Sequence, residues 1–560
     1  MAAAQRAKRD ELVFVPLGGV GEIGMNLYLY GVGRGQARKW LMIDLGVSFP
    51  GEKEPGVDLI FPDTRFIEEE RTNLLGILLT HAHEDHFGAV MDLWSRLRAP
   101  VYATPFTAGL LTAKLNENSL NGEIPLEVVT LGSRFDIGPF NLELVNMAHS
   151  IPEPNAVVIR TSAGTAVHTG DWKLDPNPIV GVPTDEPRLR SIGAEGVDAL
   201  ICDSTNVLRD GVSPSEADVA ETLAAIVAGA RKRVAVTTFA SNVARIRSVL
   251  AAAERAGRHV VIVGRAMHRI IQVAQETGHL PEDVELLTEE DYGYLPREEV
   301  VALCTGSQGE PRAALSRIAA GTHPRVSFAS GDTVVFSSRT IPGNEKAVAA
   351  VHNDLSDLGV KIFSDADALV HVSGHPRRGE LEQMYEWIKP ASVVPMHGEA
   401  RHLREHASFA RARGVPHVAA SRNGVMIRLA PDAADIIDDV PSGRLYKDGR
   451  LLVSADGSTV RERRKLSFVG LVAVSVVLDA RGDVAADPQV ALRGLPDTDM
   501  HGAALRDIAL DAVAGALAGI PRPRRRDRET VGEAVRRAVR GAIYQAWGKR
   551  PICSVMVSVV

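Results

Sequence analysis

At 560 residues the chain exceeds what one hydrophobic core usually organises, so two to four structural units are expected. Hydrophobic residues make up 45%, charged residues 24% and aromatics 5%, a globular composition that excludes disordered, collagenous and coiled-coil classes. Lys and Arg number 63 against 70 Asp and Glu, for a net charge of −7, so a polyanionic partner must be met by a local basic surface or by metal ions. No run approaches the roughly 18 apolar residues of a membrane span, and the opening MAAAQRAKRDE lacks the apolar segment of a secretory signal. Three cysteines, Cys202, Cys304 and Cys553, form no CxxC pair. A soluble cytoplasmic protein without a disulfide framework, a thiolate zinc site or membrane contact is expected.

From Leu12 to about Leu200, short β-rich runs alternate with loops: WLMIDLGV (40–47), LLGILLT (74–80), FNLELVNM (140–147) and TAVHTGDW (165–172). Apolar runs of four to eight residues bounded by Gly and Pro predict strands of a buried sheet. After Ser213 the rhythm becomes helix–strand: SEADVAETLAAIVAGA before RVAVTTF, then SNVARIRSVLAAAERAG before HVVIVGRA, continuing through VVALCTGSQ and TVVFSSRT. That alternation predicts a parallel α/β layer. ALVHVSGH and SVVPMHGE are read as two further strands. The polar stretch 442–465 is read as a linker. From Leu466 an alternating run, amphipathic helices, the basic loop PRPRRRDR (521–528) and a last strand form a separate α+β unit.

The run THAHEDH places His81, His83, Asp85 and His86 in a tight turn at a strand's carboxyl end. Imidazoles and carboxylates together suit zinc, manganese or iron, and four such groups in six residues are hard to explain by packing. His149 follows LELVNM, Asp171 follows TAVHTG and His397 follows SVVPM, so four strands each deliver a ligand at the end where α/β sheets gather ligands. Seven donors exceed the need of one four-coordinate ion. Two ions bridged by Asp171 fit better, with His81, His83 and His149 on one and Asp85, His86 and His397 on the other. His168, inside a strand, is read as structural. The HVSGH segment (His371, Val372, Ser373, Gly374 and His375) offers backbone N–H groups, a hydroxyl and an imidazole that could cradle a phosphate. Ser337 and Ser338, at another strand end, are expected to complete that pocket. GGVGEIG lacks the following helix and acidic partner of a dinucleotide site and is read as a glycine-rich turn beside the metals.

HAHEDH, HTGD and MHGE resemble the metal motifs of the metallo-β-lactamase fold, and the block between Asp203 and His397 resembles the β-CASP insertion. GGVGEIGMN (18–26), NMAHSIP (146–152), TGDWKLDP (169–176), CDSTN (202–206), TTFASN (237–242), CTGSQGEP (304–311), IPGNE (341–345), HVSGH (371–375) and PMHGE (395–399) are together similar to the ribonuclease J family over about 12–450, with an echo at KRP (549–551). Ala82, where the family more often has Gly, and Pro376-Arg377-Arg378 after His375 depart from its pattern. The resemblance implies an α/β fold: a metallo-β-lactamase αββα sandwich (1–208 and 366–445) holding a β-CASP α/β domain (209–365), then a linker (446–465) and a small α+β C-terminal domain (466–560) that oligomerises.

It further implies a hydrolase with two divalent ions per subunit, Zn2+ or Mn2+. The enzyme would degrade single-stranded RNA bearing a 5′-monophosphate from 5′ to 3′, with endonuclease activity, in rRNA processing and mRNA decay. The implied catalytic residues are Asp85, Asp203, which orients a metal ligand, and His375, which assists the leaving group. Asp448 in YKDG resembles a position that takes an extra divalent ion. A homodimer or homotetramer, with RNA-decay proteins as partners, is the implied assembly. A DNA-directed β-CASP repair nuclease is the alternative; the DSTN, SQGE, HVSGH and MHGE blocks favour the RNA branch. A small-molecule lactamase or glyoxalase is disfavoured by the long α/β insertion, and a metal-dead scaffold by the filled ligand positions.

Overall fold

The computed structural model describes residues 10–118, 120, 122–341 and 343–560. Most of the N-terminal stretch read as lacking a signal segment, and Pro342 of IPGNE, lie outside the described residues. The chain divides into two compact units, Met1–Ser48 with Ile60–Leu445, and Phe49–Leu59 with Tyr446–Val560.

In the first unit an eight-stranded sheet runs from edge to edge through Asp435–Asp439, Val425–Ala430, Glu11–Gly18, Leu27–Gly33, Lys39–Ile43, Leu74–Leu78, Val101–Ala103 and Leu126–Val128. A seven-stranded sheet runs through His417–Val418, Ser392–Met396, Ala199–Asp203, Thr165–His168, Asn155–Arg160, Phe140–Asn146 and Arg134–Ile137. Their facing sides share one core: Phe14, Tyr28, Tyr30 and Leu41 from the first sheet meet Leu142, Val157, Ala166 and Ile201 from the second. The other side of the second sheet, through Val158, Val167 and Leu200, packs against Leu189, Ile192, Leu381 and Met384 of helices Glu186–Glu195 and Arg378–Ile388. Period-2 burial on both sheet faces explains why these strands read as near-continuous apolar runs.

The third sheet, in the order His259–Val263, Val300–Cys304, Val234–Thr237, Thr333–Phe336 and Lys361–Phe363, is parallel throughout. Helices Glu216–Gly229, Val243–Arg255, Arg265–Glu276 and Glu345–Asp357 alternate with its strands, and Ser215 opens the first with a capping box to Asp218. This whole layer is inserted between Ala199–Asp203 and Ser392–Met396, which nevertheless pair as parallel neighbours with Asp203 opposite Met396. The insertion therefore leaves the carboxyl ends of two adjacent strands side by side.

In the second unit, Val484–Arg493, Leu471–Leu478 and Ile552–Val559 form a three-stranded sheet. Val472, Val474, Val476 and Leu478, on one face of its middle strand, pack against Val531, Val535, Val539 and Ile543 of helix Arg528–Trp547. The four-residue spacing of that helical row is what makes it a core-facing stripe. The stretch expected to be a linker is structured: Leu451–Ser454 is a strand, and helix Ser458–Val469 absorbs the first residues of the expected strand FVGLVAVSVVLD. Its polar composition reflects a helix that buries little, not an absence of structure. No described helix is long and apolar enough to cross a membrane.

Candidate metal centre

The buried strand Leu74–Leu78 ends two residues before Thr80 and His81, and His83 caps the short helix Glu84–Phe87 that carries Asp85 and His86. His149 follows Phe140–Asn146, Asp171 follows Thr165–His168, and His397 follows Ser392–Met396 with a left-handed φ of 49°. A non-glycine residue in that region is strain that the surrounding contacts must hold. Three overlapping clusters result among the described residues. His81, His83, His149 and Asp171 form the first, Asp85, His86, Asp171 and His397 the second, and Asp171, Asp203, His375 and His397 a third, with ligand atoms in each within 4.8 Å of one another.

The first cluster is poor in charge. His83 Nδ1 lies 3.1 Å from both His81 Nε2 and His149 Nε2. Burial and the neighbouring imidazoles hold His81 and His149 well below the ordinary histidine range; burial takes His83 to about 4. Three neutral rings thus turn lone pairs toward one point. Their spacing is near the roughly 3.3 Å edge of a tetrahedron with 2.0–2.1 Å metal–nitrogen bonds. The second cluster is richer in carboxylate. His86 Nε2 lies 3.2 Å from Asp171 Oδ2, and His397 Nε2 lies 3.3 Å from Asp85 Oδ2. Burial opposes charge on both rings, but Asp171 and its neighbouring carboxylates hold His86 well above the ordinary range and His397 at about 10. Asp171 Oδ1 is buried without a hydrogen-bond partner among the described residues. A divalent cation would satisfy it, so the nitrogen–oxygen donor set fits metal on chemistry as well as spacing.

Partners around the clusters fix the ring orientations, and sequence reading missed most of them. Asp44, fully buried with φ of 62°, lies 2.7 Å from His86 Nδ1 and accepts from the N–H and hydroxyl of Thr80. Thr80 Oγ1 is 3.0 Å from His81 Nδ1. Thr205 Oγ1 is 2.7 Å from His397 Nδ1, and Gly374 O is 2.6 Å from His149 Nδ1. Gly374 must be glycine, because a Cβ there would run into the His149 ring. Asp44 carried the same signal as Asp171, an acid at the carboxyl end of a buried strand. Thr205 and Asn206 stand beside Asp203 in DSTN with no such mark. In the GGVGEIGMN turn, Asn26 donates to Asp85 O and receives the Tyr28 hydroxyl, which ties the turn to the site.

His375 Nδ1 is 2.8 Å from Asp203 Oδ2. Burial lowers the His375 pKa, yet Asp203 and Asp171 raise it above the ordinary value. Asn206 donates to Ser373 Oγ at 2.8 Å and to His375 O at 3.1 Å. The turn 371–375 is thus brought to the metal ligands, but not by the expected strand: ALVHVSGH has no ladder. The Val370 carbonyl accepts from Arg245 Nη1 at 2.8 Å and from Ser337 Oγ at 2.6 Å, so side chains replace the strand partner. This also corrects the role of Ser337, whose hydroxyl is fully buried between Arg245 and Val370 and is not presented to a phosphate. Ser338 is buried beside it. Val372 is buried, and His371 is depressed by burial and by Arg245, Arg339, Lys173 and Arg209. Arg378, one of the residues departing from the family pattern, is held by Val207 O, Asp210 and Glu405. His168 is buried, with Nδ1 3.0 Å from the Tyr30 hydroxyl. Asp448 accepts from Arg463 at 2.5 Å and joins none of the His/Asp clusters found among the described residues.

Four family models match the chain: "Metallo-beta-lactamase superfamily" at 26–205, "Ribonuclease J, beta-CASP domain" at 231–355, "Zn-dependent metallo-hydrolase RNA specificity domain" at 364–420 and "Ribonuclease J C-terminal domain" at 458–560. The chain is 55% identical to a ribonuclease J of Sinorhizobium meliloti over 554 residues, covering 99% of this chain and 98% of that one. It is 40% identical to a ribonuclease J of Mycolicibacterium smegmatis, covering 96% and 95%. With a ribonuclease J of Thermus thermophilus it shares 38% identity, covering 85% and 84%. A solved protein of unknown function from Enterococcus faecalis, 14% identical, shares the fold at a TM-score of 0.51 over 75% of this chain and all of that one.

Proposed function

The chain belongs to the ribonuclease J family of metal-dependent ribonucleases, and from that premise we propose that it degrades single-stranded RNA from a 5′-monophosphate end in the 5′-to-3′ direction, with additional internal cleavage. The observation that carries this reading is the set of four-donor clusters sharing Asp171, the third of which contains His375 and so brings the 371–375 turn to the other two.

In this reading His81, His83 and His149 hold one divalent ion, Asp85, His86 and His397 a second, and Asp171 is common to both. Zinc and manganese both suit such a donor set. When bound, the ions supply Lewis-acid charge that acidifies water and neutralises the scissile phosphate. The chain's own residues orient the substrate and handle the leaving-group proton. Asp203 holds His375 at Nδ1, which leaves Nε2 to face substrate as a donor. As the bond between phosphorus and the 3′-oxygen breaks, Nε2 gives its proton to that oxygen, while water supplies the oxygen of the new bond to phosphorus. The products are a 3′-hydroxyl and a new 5′-monophosphate. Each cleavage thus regenerates the end that the next one needs.

Ser373, steadied by Asn206, and the positive surroundings of His371 support holding a terminal monophosphate there. A triphosphate adds charge and volume that a closed turn would reject. The wider assignment is cytoplasmic RNA processing and mRNA decay, by a homodimer or homotetramer assembled through 466–560. The test is digestion of one 3′-labelled RNA carrying a 5′-monophosphate or a 5′-triphosphate, and of its circular form, with Zn2+ and Mn2+ varied. Mononucleotides should appear at once from the monophosphate, and from the triphosphate and the circle only after a slower internal cut has made a new 5′-monophosphate. Equal rates of mononucleotide release from both linear ends would refute the end selection.

A further inference from the structure

Helix Ser458–Val469 buries only Val460. Arg461, Arg464, Lys465 and Phe468 recur on it at three- and four-residue spacings, so they share a face, and all four are exposed. Phe468 is 69% exposed, an unusual position for a phenylalanine in a chain with few aromatics. At the end of that face Lys549 donates Nζ to the Phe468 carbonyl at 3.2 Å. The same ammonium sits 4.4 Å from the Phe468 ring centroid and 5.2 Å from that of Trp547. Arg550 lies 4.7 Å over Tyr544, which is itself 40% exposed. A row of cations therefore leads to the exposed Phe468 ring, which Lys549 links to the half-buried Trp547, and Arg550 in turn covers the exposed Tyr544. The surroundings are basic as well: residues 446–560 hold 19 Lys and Arg against 13 Asp and Glu, in a chain whose net charge is −7.

We propose that this face is a second RNA-binding surface, which takes a single-stranded segment by stacking bases on Phe468 and Tyr544 and pairing phosphates with Arg461, Arg464 and Lys465. The proposal rests on the ribonuclease reading above. Cations tracking a backbone beside aromatic platforms are what sequence-tolerant single-strand binding requires, because every base has a stackable face. Unpaired bases are also the part of RNA that aromatic side chains can reach. A second copy of the chain is the competing occupant. A two-fold contact through this face would bring the same cationic row of both copies together, so charge favours RNA.

The test uses the full-length protein and a 3′-labelled 30-nucleotide oligouridylate, with binding read by anisotropy in EDTA and turnover read with Mn2+ restored. Phe468→Ala should weaken binding about tenfold. The double variant Arg461→Ala/Lys465→Ala should lower the slope of log affinity against log salt by roughly 1.4, about 0.7 for each lost phosphate contact. Both should raise KM on the 30-mer while leaving hydrolysis of a 5′-phosphorylated dinucleotide, which fills the catalytic centre alone, unchanged. Should Phe468→Ala misfold, Lys465→Glu changes only an exposed side chain and should give the same loss. Unchanged affinity and salt slope in variants that still hydrolyse the dinucleotide would overturn this surface alone. A smaller particle by light scattering, with RNA affinity intact, would make the face a contact between copies and also overturn it. A wild-type protein inert on both substrates would instead remove the ribonuclease reading on which the proposal stands.

Discussion

Replacing Asp44 by Asn tests whether the metal clusters are preorganised from beneath. Asp44 is fully buried, and its carboxylate meets His86 Nδ1 at 2.7 Å, Thr80 N–H at 2.8 Å and the Thr80 hydroxyl at 2.9 Å. As a carboxylate it can only accept from His86 Nδ1, so that nitrogen always carries a proton and Nε2 is the atom that a divalent cation would take, displacing the proton that the neighbouring carboxylates favour there. An asparagine keeps the volume and can still accept from Thr80 through its oxygen. Its amide, however, turns a donor toward Nδ1 and drives the proton to Nε2, the atom that faces Asp171 and Asp85. Loss of an outer partner usually costs 10- to 100-fold in metal affinity or activity, and a wrong tautomer costs more. Asp44→Asn is therefore expected to retain its fold, lose metal on dialysis and fall on the order of 100-fold or more in hydrolysis rate. Asp44→Ala leaves Thr80 N–H unpaired in the core as well, which should add about 1–3 kcal/mol of destabilisation. Metal content by mass spectrometry, thermal unfolding and single-turnover RNA hydrolysis separate the two effects. An Asn variant with wild-type metal content and rate would refute the tautomer argument.

His83→Ala or Asp85→Ala should each slow RNA hydrolysis about 100-fold or more at saturating metal, with thermal unfolding little changed, because each removes one donor from a four-donor cluster. Ser373→Ala should slow degradation of monophosphorylated linear RNA more than cleavage of the same sequence as a circle; equal loss on both would show that the turn is not an end sensor. Ser337→Ala, by contrast, should destabilise the protein without changing end preference, since its hydroxyl supports Val370 from within the core. Glu143 is buried, yet Arg188 and Arg160 overcome the burial and pull its carboxyl to about 2 from an ordinary 4.5. Its contribution is then fully present above about pH 4.5 and lost as pH falls toward 2. Glu143→Gln should therefore cost about 1–3 kcal/mol in urea unfolding at pH 7, with the gap from wild type closing at acid pH; a gap independent of pH would rule out the ionic contribution.

The parts of this protein legible in its sequence are those encoded by local pattern. The strand before THAHEDH, the helix–strand alternation after Ser213 and the amphipathic spacing of Val531, Val535, Val539 and Ile543 each follow from periodicity within one element. The parts that were not legible depend on partners far along the chain. ALVHVSGH has the apolar content of a strand, but its Val370 carbonyl is taken by Arg245, 125 residues away, and by Ser337. Nothing within eight residues records that competition. Ser337 was misplaced for the same reason, since a strand-end serine looks alike whether it faces a cleft or a buried arginine. The polar stretch 446–465 misled in the other direction: helix Ser458–Val469 is built of residues that a solvated linker would also use, and its single buried Val460 leaves almost no periodic signal. Asp448 shows how a carboxylate that resembles a cation ligand can be paired by a side chain, Arg463, that a short motif does not include.

The inserted layer also explains why the metal-cluster residues and the 371–375 turn meet. Ala199–Asp203 and Ser392–Met396 are neighbours in the sheet, so the turn after the first strand lies against the turn after the second, although Thr205 and His397 are 192 residues apart. Three residues of that first turn make polar contacts across the site. Asp203 holds His375, Thr205 holds both Nδ1 and the carbonyl of His397, and Asn206 holds Ser373 together with the His375 carbonyl. One four-residue stretch thus ties His397, His375 and the 371–375 turn to a single strand end. A shift of the inserted layer cannot move His375 or Ser373 without straining contacts to the strand that also fixes His397. If the 371–375 turn holds a terminal phosphate as proposed, its attachment to the strand end that also fixes His397 would keep that phosphate at a constant distance from the metal-binding clusters, as release of one nucleotide per cycle would require.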